Sequence, residues 1–236
     1  MNYNQYTTKK VGAFTLIELL VVIAIIGLLA GIATPAVTKS LESAKRRKSG
    51  SNIRQIVLGC QNFASDNYGV FPNFDPEADS DDREESFTTS EEAFNVLIPE
   101  YVDVESVFWQ PTPHPDKQRP PVEDADLEAE ENVYLFVSSM TNTSYTNSPL
   151  VADGHMDRPG EFNDNHPWLE SKRAVIGFVG GHAEELILTS RTAGATAKTR
   201  DGRTENVFEE REIDDEGKAS GGWLDTETDN VLLPGS

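Results

Sequence analysis

The sequence predicts an α+β fold in which a long N-terminal helix packs on an antiparallel β-sheet. Three observations carry that reading. Phe14 to Ala33 form a twenty-residue apolar run, FTLIELLVVIAIIGLLAGIA, interrupted by one charge, Glu18. Apolar residues then recur at helical spacing as far as Phe63, and stop signals follow at Asn67-Tyr68-Gly69 and Pro72. Beyond these, short β-branched and aromatic runs replace the helical period, two of them separated by Gly180-Gly181.

Charge divides the chain in the same way. The 236 residues carry a net charge of −20. Residues 1–60 hold eight basic and two acidic side chains, a net of +6, while the remaining 176 hold 12 and 38, a net of −26. The length suits one domain with an appendage. An acidic body lacks the basic footprint that a nucleic-acid partner requires. A single cysteine, Cys60, excludes an intramolecular disulfide and a cysteine-only zinc site. The hydrophobic content of 37% is low for a globular domain, and it averages one very apolar segment with a very polar remainder.

As a helix, the apolar run rises about 30 Å, the thickness of a bilayer's hydrocarbon core. A buried core helix, apolar on every face, does not suit a protein of this size. A secretory signal would use Lys9 and Lys10 as its basic flank and Gly31-Ile32-Ala33 as its cleavage site. The run exceeds the ~7–15 residues usual for such signals. A retained membrane anchor fits the length best. Glu18 enters five residues into the run, where a carboxylate costs less than the roughly 2.5–3.5 kcal/mol it costs at the bilayer centre. It is either an edge carboxylate reaching headgroup water or a charge that awaits a cationic partner.

The stretch Lys9-Lys10-Val11-Gly12-Ala13-Phe14-Thr15-Leu16-Ile17-Glu18-Leu19-Leu20, with the run VVIAIIGLLAGIATPA after it, resembles the start of type IV prepilins and type II secretion pseudopilins. The resemblance implies a leader, 1–13, cut between Ala13 and Phe14 by a membrane-embedded prepilin peptidase. The same enzyme would N-methylate Phe14, and Glu18 would be the fifth residue after the cut. The family more often has glycine before the cut, so Ala13 is a departure. Gly27 and Pro35 fall where similar pilins carry glycine and proline. The implied role is that of a filament subunit rather than an enzyme. Its partners would be prepilin peptidase, other pilin or pseudopilin subunits and an inner-membrane assembly platform, with no nucleic acid. Glu18 would pair with the terminal amine of a neighbour's Phe14, each offsetting the other's burial. The alternative is a minor pilin or surface-exposed module that recognises a ligand or a divalent cation. The resemblance places the leader inside and the acidic body outside, in the periplasm or an extracytoplasmic filament. Lys39, Lys45, Arg46, Arg47 and Lys48 oppose that orientation by the positive-inside tendency.

The expected divisions are the leader 1–13, a transmembrane and assembly helix 14–35, its extramembrane continuation 36–67 and an acidic α+β domain 68–236. Val37, Leu41, Ala44, Ile53, Ile56, Val57, Cys60 and Phe63 form the core-facing stripe of the continuation. A helix over 14–66 would be about 80 Å long, so its first half should project from so small a domain. The run Ala64 to Pro72 also resembles the post-helix segment of major pseudopilins. Loops are expected at 73–92, which is strongly acidic, and at 110–131, which is proline-rich and then acidic. Between them a short helix at 90–98, capped by Ser90, is expected. Strands are expected at Val133–Ser138, Ala174–Val179 and Glu184–Thr189, with Gly180-Gly181 as a tight hairpin turn. Val207-Phe208 and Val231-Leu232 are further strand hints in a polar tail.

Residues 149–153 (PLVAD), Asn165-His166 and the run 173–186 resemble the C-terminal signature of pilin-like proteins from planctomycetes and verrucomicrobia. Gly180 stands where that signature has aspartate. The physical reading is a hairpin turn with His182 opening the return strand. Asp153, His155, Asp157, Asp164 and His166 lie within fourteen residues. Their oxygens and imidazoles suit a divalent metal such as Ca2+, and solvated loop residues are the alternative. No HExxH, EF-hand or GxSxG spacing is present, and no cofactor is otherwise implied.

Overall fold

Helix α1 runs from Leu16 to Asp66, 51 residues. It ends where the sequence places the stop: Tyr68 and Gly69 take left-handed conformations (φ 54° and 84°). The Gly69 N–H turns back onto the Ala64 carbonyl at 2.7 Å, satisfying one of the helix's last acceptors. The computed structural model describes residues 14–73, 87–113, 120–124, 126–202, 204–227 and 230–234. The expected leader with Ala13, most of the 73–92 loop and part of the 110–131 loop, including His114, lie outside the described residues.

The chain forms two units, Met1–Ala44 and Lys45–Ser236. The described part of the first is helical from Leu16, and its large apolar side chains are exposed all round. Pro35 sits inside α1 without ending it. Its ring removes the N–H that would bond the Gly31 carbonyl. On either side of it, the hydroxyls of Thr34 and Thr38 donate to the carbonyls of Ala30 (2.7 Å) and Thr34 (3.1 Å). Such back-bonding is a usual companion of helix bending.

In the second unit α1 buries Ser49, Asn52, Ile53, Ile56, Val57, Gly59, Cys60, Phe63 and Ala64. The expected stripe therefore holds from Ile53 onward, whereas Val37, Leu41 and Ala44 are exposed. Helix α2 spans Ser90–Asn95. The strands are β1 (Tyr134–Val137), β2 (Pro149–Asp153), β3 (Met156–Arg158), β4 (Glu161–Phe162), β5 (Arg173–Phe178), β6 (Ala183–Ile187), β7 (Arg211–Ile213), β8 (Ala219–Gly221) and β9 (Val231–Leu232). Five form one sheet in the order β6-β5-β2-β1-β9, with every neighbouring pair antiparallel. The fold is thus α+β, as expected, with β2 at the centre of the sheet.

The helix–sheet contact is set by glycine. A Cβ added to Gly177 in β5 would lie 2.9 Å from Cγ2 of Val57 and closer still to Ile53. The strand can therefore lie against α1 only without a side chain there. Gly180 and Gly181 form the expected hairpin turn between β5 and β6. The Gly181 N–H reaches the Phe178 carbonyl at 2.9 Å with φ +82° at Gly181, and the Phe178 N–H reaches the His182 carbonyl at 2.9 Å.

Three expectations are corrected. The residue before α2 is Thr89, whose N–H donates to Glu92 Oε2 at 3.2 Å. Ser90 lies inside the helix, and its hydroxyl donates to the Tyr134 carbonyl at 2.8 Å instead of capping. The helix stops at Asn95, and residues 96–100 are turns. Val207 and Phe208 are fully buried but occupy a turn rather than a strand. Their apolar character serves the core, and Val207 bonds through its backbone to Ala197 and Trp223.

Candidate functional site

The start of α1 is built by two residues. The Thr15 N–H and hydroxyl donate to Glu18 Oε2 at 2.9 and 2.7 Å, and the Glu18 N–H donates to Thr15 Oγ1 at 3.3 Å. This is a capping box, T-x-x-E, in which each side chain satisfies the other's backbone donor at the helix terminus. The carboxylate is thereby fixed at the positive end of the helix dipole. Both bonds fall on Oε2, and Oε1 accepts none among the described residues. Phe14 precedes this turn and is 72% exposed. The T-x-x-E spacing was readable in the sequence, although Thr15 is not among the residues that the prepilin resemblance singles out. The apolar run then continues as a helix long and apolar enough to cross a membrane, with none of its apolar window buried in the protein. Gly27 and Gly31 leave open space where a Cβ would stand.

The five candidate metal ligands differ in burial and in hydrogen-bond partners. Asp153, fully buried, accepts from Ser49 Oγ (3.1 Å) and Gln110 Nε2 (2.7 Å) on Oδ1 and from the Val175 N–H (3.1 Å) on Oδ2. It thereby ties α1, the 110 segment and β5 to the end of β2. Burial pushes its pKa up to about 6 against the pull of those donors. His155 Nε2 meets Thr112 Oγ1 at 2.7 Å. Asp157 accepts from Asn163 Nδ2 at 3.1 Å, and Asp164 is exposed. His166 donates from Nε2 to the Arg173 carbonyl at 2.8 Å, its ring 4.4 Å from that of Phe162. That bond fixes the proton on Nε2 and leaves Nδ1 a buried acceptor without a partner among the described residues. Burial pulls the His166 pKa down to about 4. Among the described residues no three His, Cys, Asp or Glu side chains come together as a metal cage. His182, from the C-terminal signature, stacks on Phe178 with ring centroids 4.9 Å apart. Sequence reasoning missed Ser49 and Gln110, which lie 104 and 43 residues from Asp153. No local signal links positions so distant.

A capped, exposed apolar helix behind a basic stretch defines a class of chain. Residues 8–34 match the family described as the prokaryotic N-terminal methylation motif. The match is confined to the N-terminal part of the chain. Over 75 residues the chain is 37% identical to the type IV major pilin protein PilA of Myxococcus xanthus (strain DK1622). The matched stretch covers 31% of this chain and 34% of that pilin, so about a third of each protein is compared. The methylation match includes none of the C-terminal segment 149–186. No solved structure matches the chain.

Proposed function

We propose that the chain is a structural subunit of a type IV pilus-like or type II secretion pseudopilus filament. The observation that carries this is the methylation motif at 8–34, lying across a capped glutamate at the head of an exposed apolar helix. Prepilin peptidase would cut between Ala13 and Phe14 and methylate the new terminal nitrogen of Phe14. The amine so released is a cation in an apolar setting. Glu18 Oε1 of a neighbouring copy accepts it while Oε2 keeps the Thr15 cap, so assembly and helix capping do not compete for the same oxygen. Either charge alone among apolar helices is unfavourable, and pairing them fixes the axial register of the incoming subunit. The exposed Leu, Ile and Val side chains of the first unit are covered by lipid before assembly and by neighbouring helices after it. The assembly platform would sit in the inner membrane, with the body of the chain outside it.

Mass analysis of the N-terminus of protein recovered from cells tests the reading. A chain that starts at N-methylated Phe14 is expected. A chain that starts at Thr34 would mean ordinary secretion and would overturn it.

A further inference from the structure

The second unit carries two exposed surfaces of opposite sign. On the outer face of α1, Arg47, Ser51, Arg54 and Leu58 follow one another at spacings of four, three and four, the successive positions of one helical stripe. All four are exposed, Leu58 by 46%. No acidic residue occurs between Lys45 and Ser65. Arg46 is held by Glu185 at 3.2 Å, but Arg47 and Arg54 have no ion pair among the described residues. With Ser51 they form one wall of a groove of about 240 Å³ whose other wall includes Ala183, Glu184 and Glu185 of β6, the last already engaged by Arg46.

The β7–β8 hairpin is the complement. Among the described residues its two strands form a sheet of their own, and Glu212, Asp214, Asp215 and Glu216 are exposed around Ile213, which is 54% exposed. The facing strand, Ala219-Ser220-Gly221, holds no cation, and the turn before it supplies one exposed lysine, Lys218, against four acids. The nearest arginine in sequence, Arg211, is turned to the Tyr145 ring (4.1 Å) and Asp225 (3.5 Å). Within one chain no hydrogen bond or ion pair joins the hairpin to the stripe among the described residues.

The geometry points to docking of one copy's β7–β8 hairpin on the Arg47–Leu58 stripe of a second copy. Two cations and one leucine meet several carboxylates and one isoleucine, so charge and apolar surface match together. The two patches differ, so the contact is head-to-tail, and a head-to-tail contact that does not close into a ring extends without limit. This rests on the filament reading for its purpose, but it can be tested apart from it.

The full chain in neutral detergent is the test material. Cys60 is fully buried, so introduced cysteines report alone. Leu58→Cys protein mixed with Ile213→Cys protein should form a disulfide-linked pair under mild oxidation, and neither variant alone should do so. Reversal of the stripe (Arg47→Glu with Arg54→Glu) or of the hairpin (Glu212→Lys with Asp215→Lys) should weaken self-association roughly tenfold or more at low salt. Mixing the two reversed proteins should restore it, which also shows that both are folded. Absence of the mixed pair, or no recovery on mixing, overturns the proposal. Self-association unchanged by stripe reversal, with loss of binding to phosphatidylglycerol vesicles, overturns it in favour of a lipid-binding stripe. A chain found to start at Thr34 would remove the filament reading and leave this contact to stand or fall on the cross-link.

Discussion

Gly177 lies beneath Val57 with no room for a methyl group between them, since a Cβ at Gly177 would stand 2.9 Å from Val57 Cγ2. Gly177→Ala should therefore destabilise the second unit by about 1–3 kcal/mol through overpacking. Gly50 gives the opposite expectation. It lies inside α1, and a Cβ there meets Val175 at an ordinary 3.5 Å. Gly50→Ala should add up to about 1 kcal/mol, because alanine gives up less backbone entropy in a helix. Denaturant midpoints of the two variants, read by tryptophan fluorescence, should move in opposite directions from wild type. A shift of the same sign in both would contradict the packing.

Two buried groups should give opposite pH dependences. Asp153 titrates at about 6 in the folded chain and near 4 when unfolded. The folded state therefore holds a proton that the unfolded chain has released. That stability is complete below about pH 4 and is lost as pH rises through 6. His166 titrates at about 4 when folded and near 6.5 when unfolded. Its contribution is complete above 6.5 and is lost as pH falls through 4. From pH 4 to 6 the two slopes largely cancel. Asp153→Asn should expose the histidine slope, so that stability rises with pH by about 3 kcal/mol across the window. His166→Phe should expose the aspartate slope, with stability falling by a similar amount. Unfolding titrations at several pH values check this, and parallel profiles for the three proteins would refute it.

Glu18 and Thr15 should separate processing from assembly. Glu18→Ala should leave leader cleavage intact and abolish incorporation into filaments, because the neighbour's terminal amine loses its acceptor. Thr15→Ala removes the hydroxyl arm of the cap but keeps the carboxylate, at a cost of about 1 kcal/mol to the helix start. It should reduce incorporation without abolishing it. The measurements are the cleaved fraction by mass and the sheared filament fraction by immunoblot. Normal incorporation of Glu18→Ala protein would sink the assembly role.

Cys60 should be inert in the native chain. Its thiol is buried and its pKa is pushed far above the usual thiol range by that burial, so thiolate is scarce at neutral pH. Maleimide labelling should be negligible in buffer and complete in denaturant, with a midpoint that matches the fluorescence transition. Rapid native labelling would show that α1 separates from the sheet.

The parts of the fold legible in sequence were those with a period or a stop. The end of α1 was written in Asn67-Tyr68-Gly69, and β5 and β6 in two apolar runs around Gly180-Gly181. β2 carries no strand signal in the sequence, because all five of its residues are buried and no alternation marks them. A central strand covered on both faces has no polar side to display. The β7–β8 hairpin escaped for the opposite reason, since its side chains are exposed or half-exposed and acidic, and it reads as loop. At the helix start, the structure adds Thr15 as the hydrogen-bond partner of Glu18. The metal candidates show the limit of proximity along the chain. Asp153 turns into the helix–sheet interface while Asp157, four residues on, faces water.

The pairing of β9 with β1 sets a timetable. Phe136 faces Leu232, and the Ser90 N–H bonds the Leu233 carbonyl, so two early parts of the body wait for residues about a hundred or more positions later. Contacts of such separation form slowly, and none can form until residue 233 has been made. Until then β1 presents an open edge, a ready template for foreign strands. Closure of the sheet is thus tied to completion of the chain, and a helper that shields β1 until then would act on this chain more than on one whose sheet closes early.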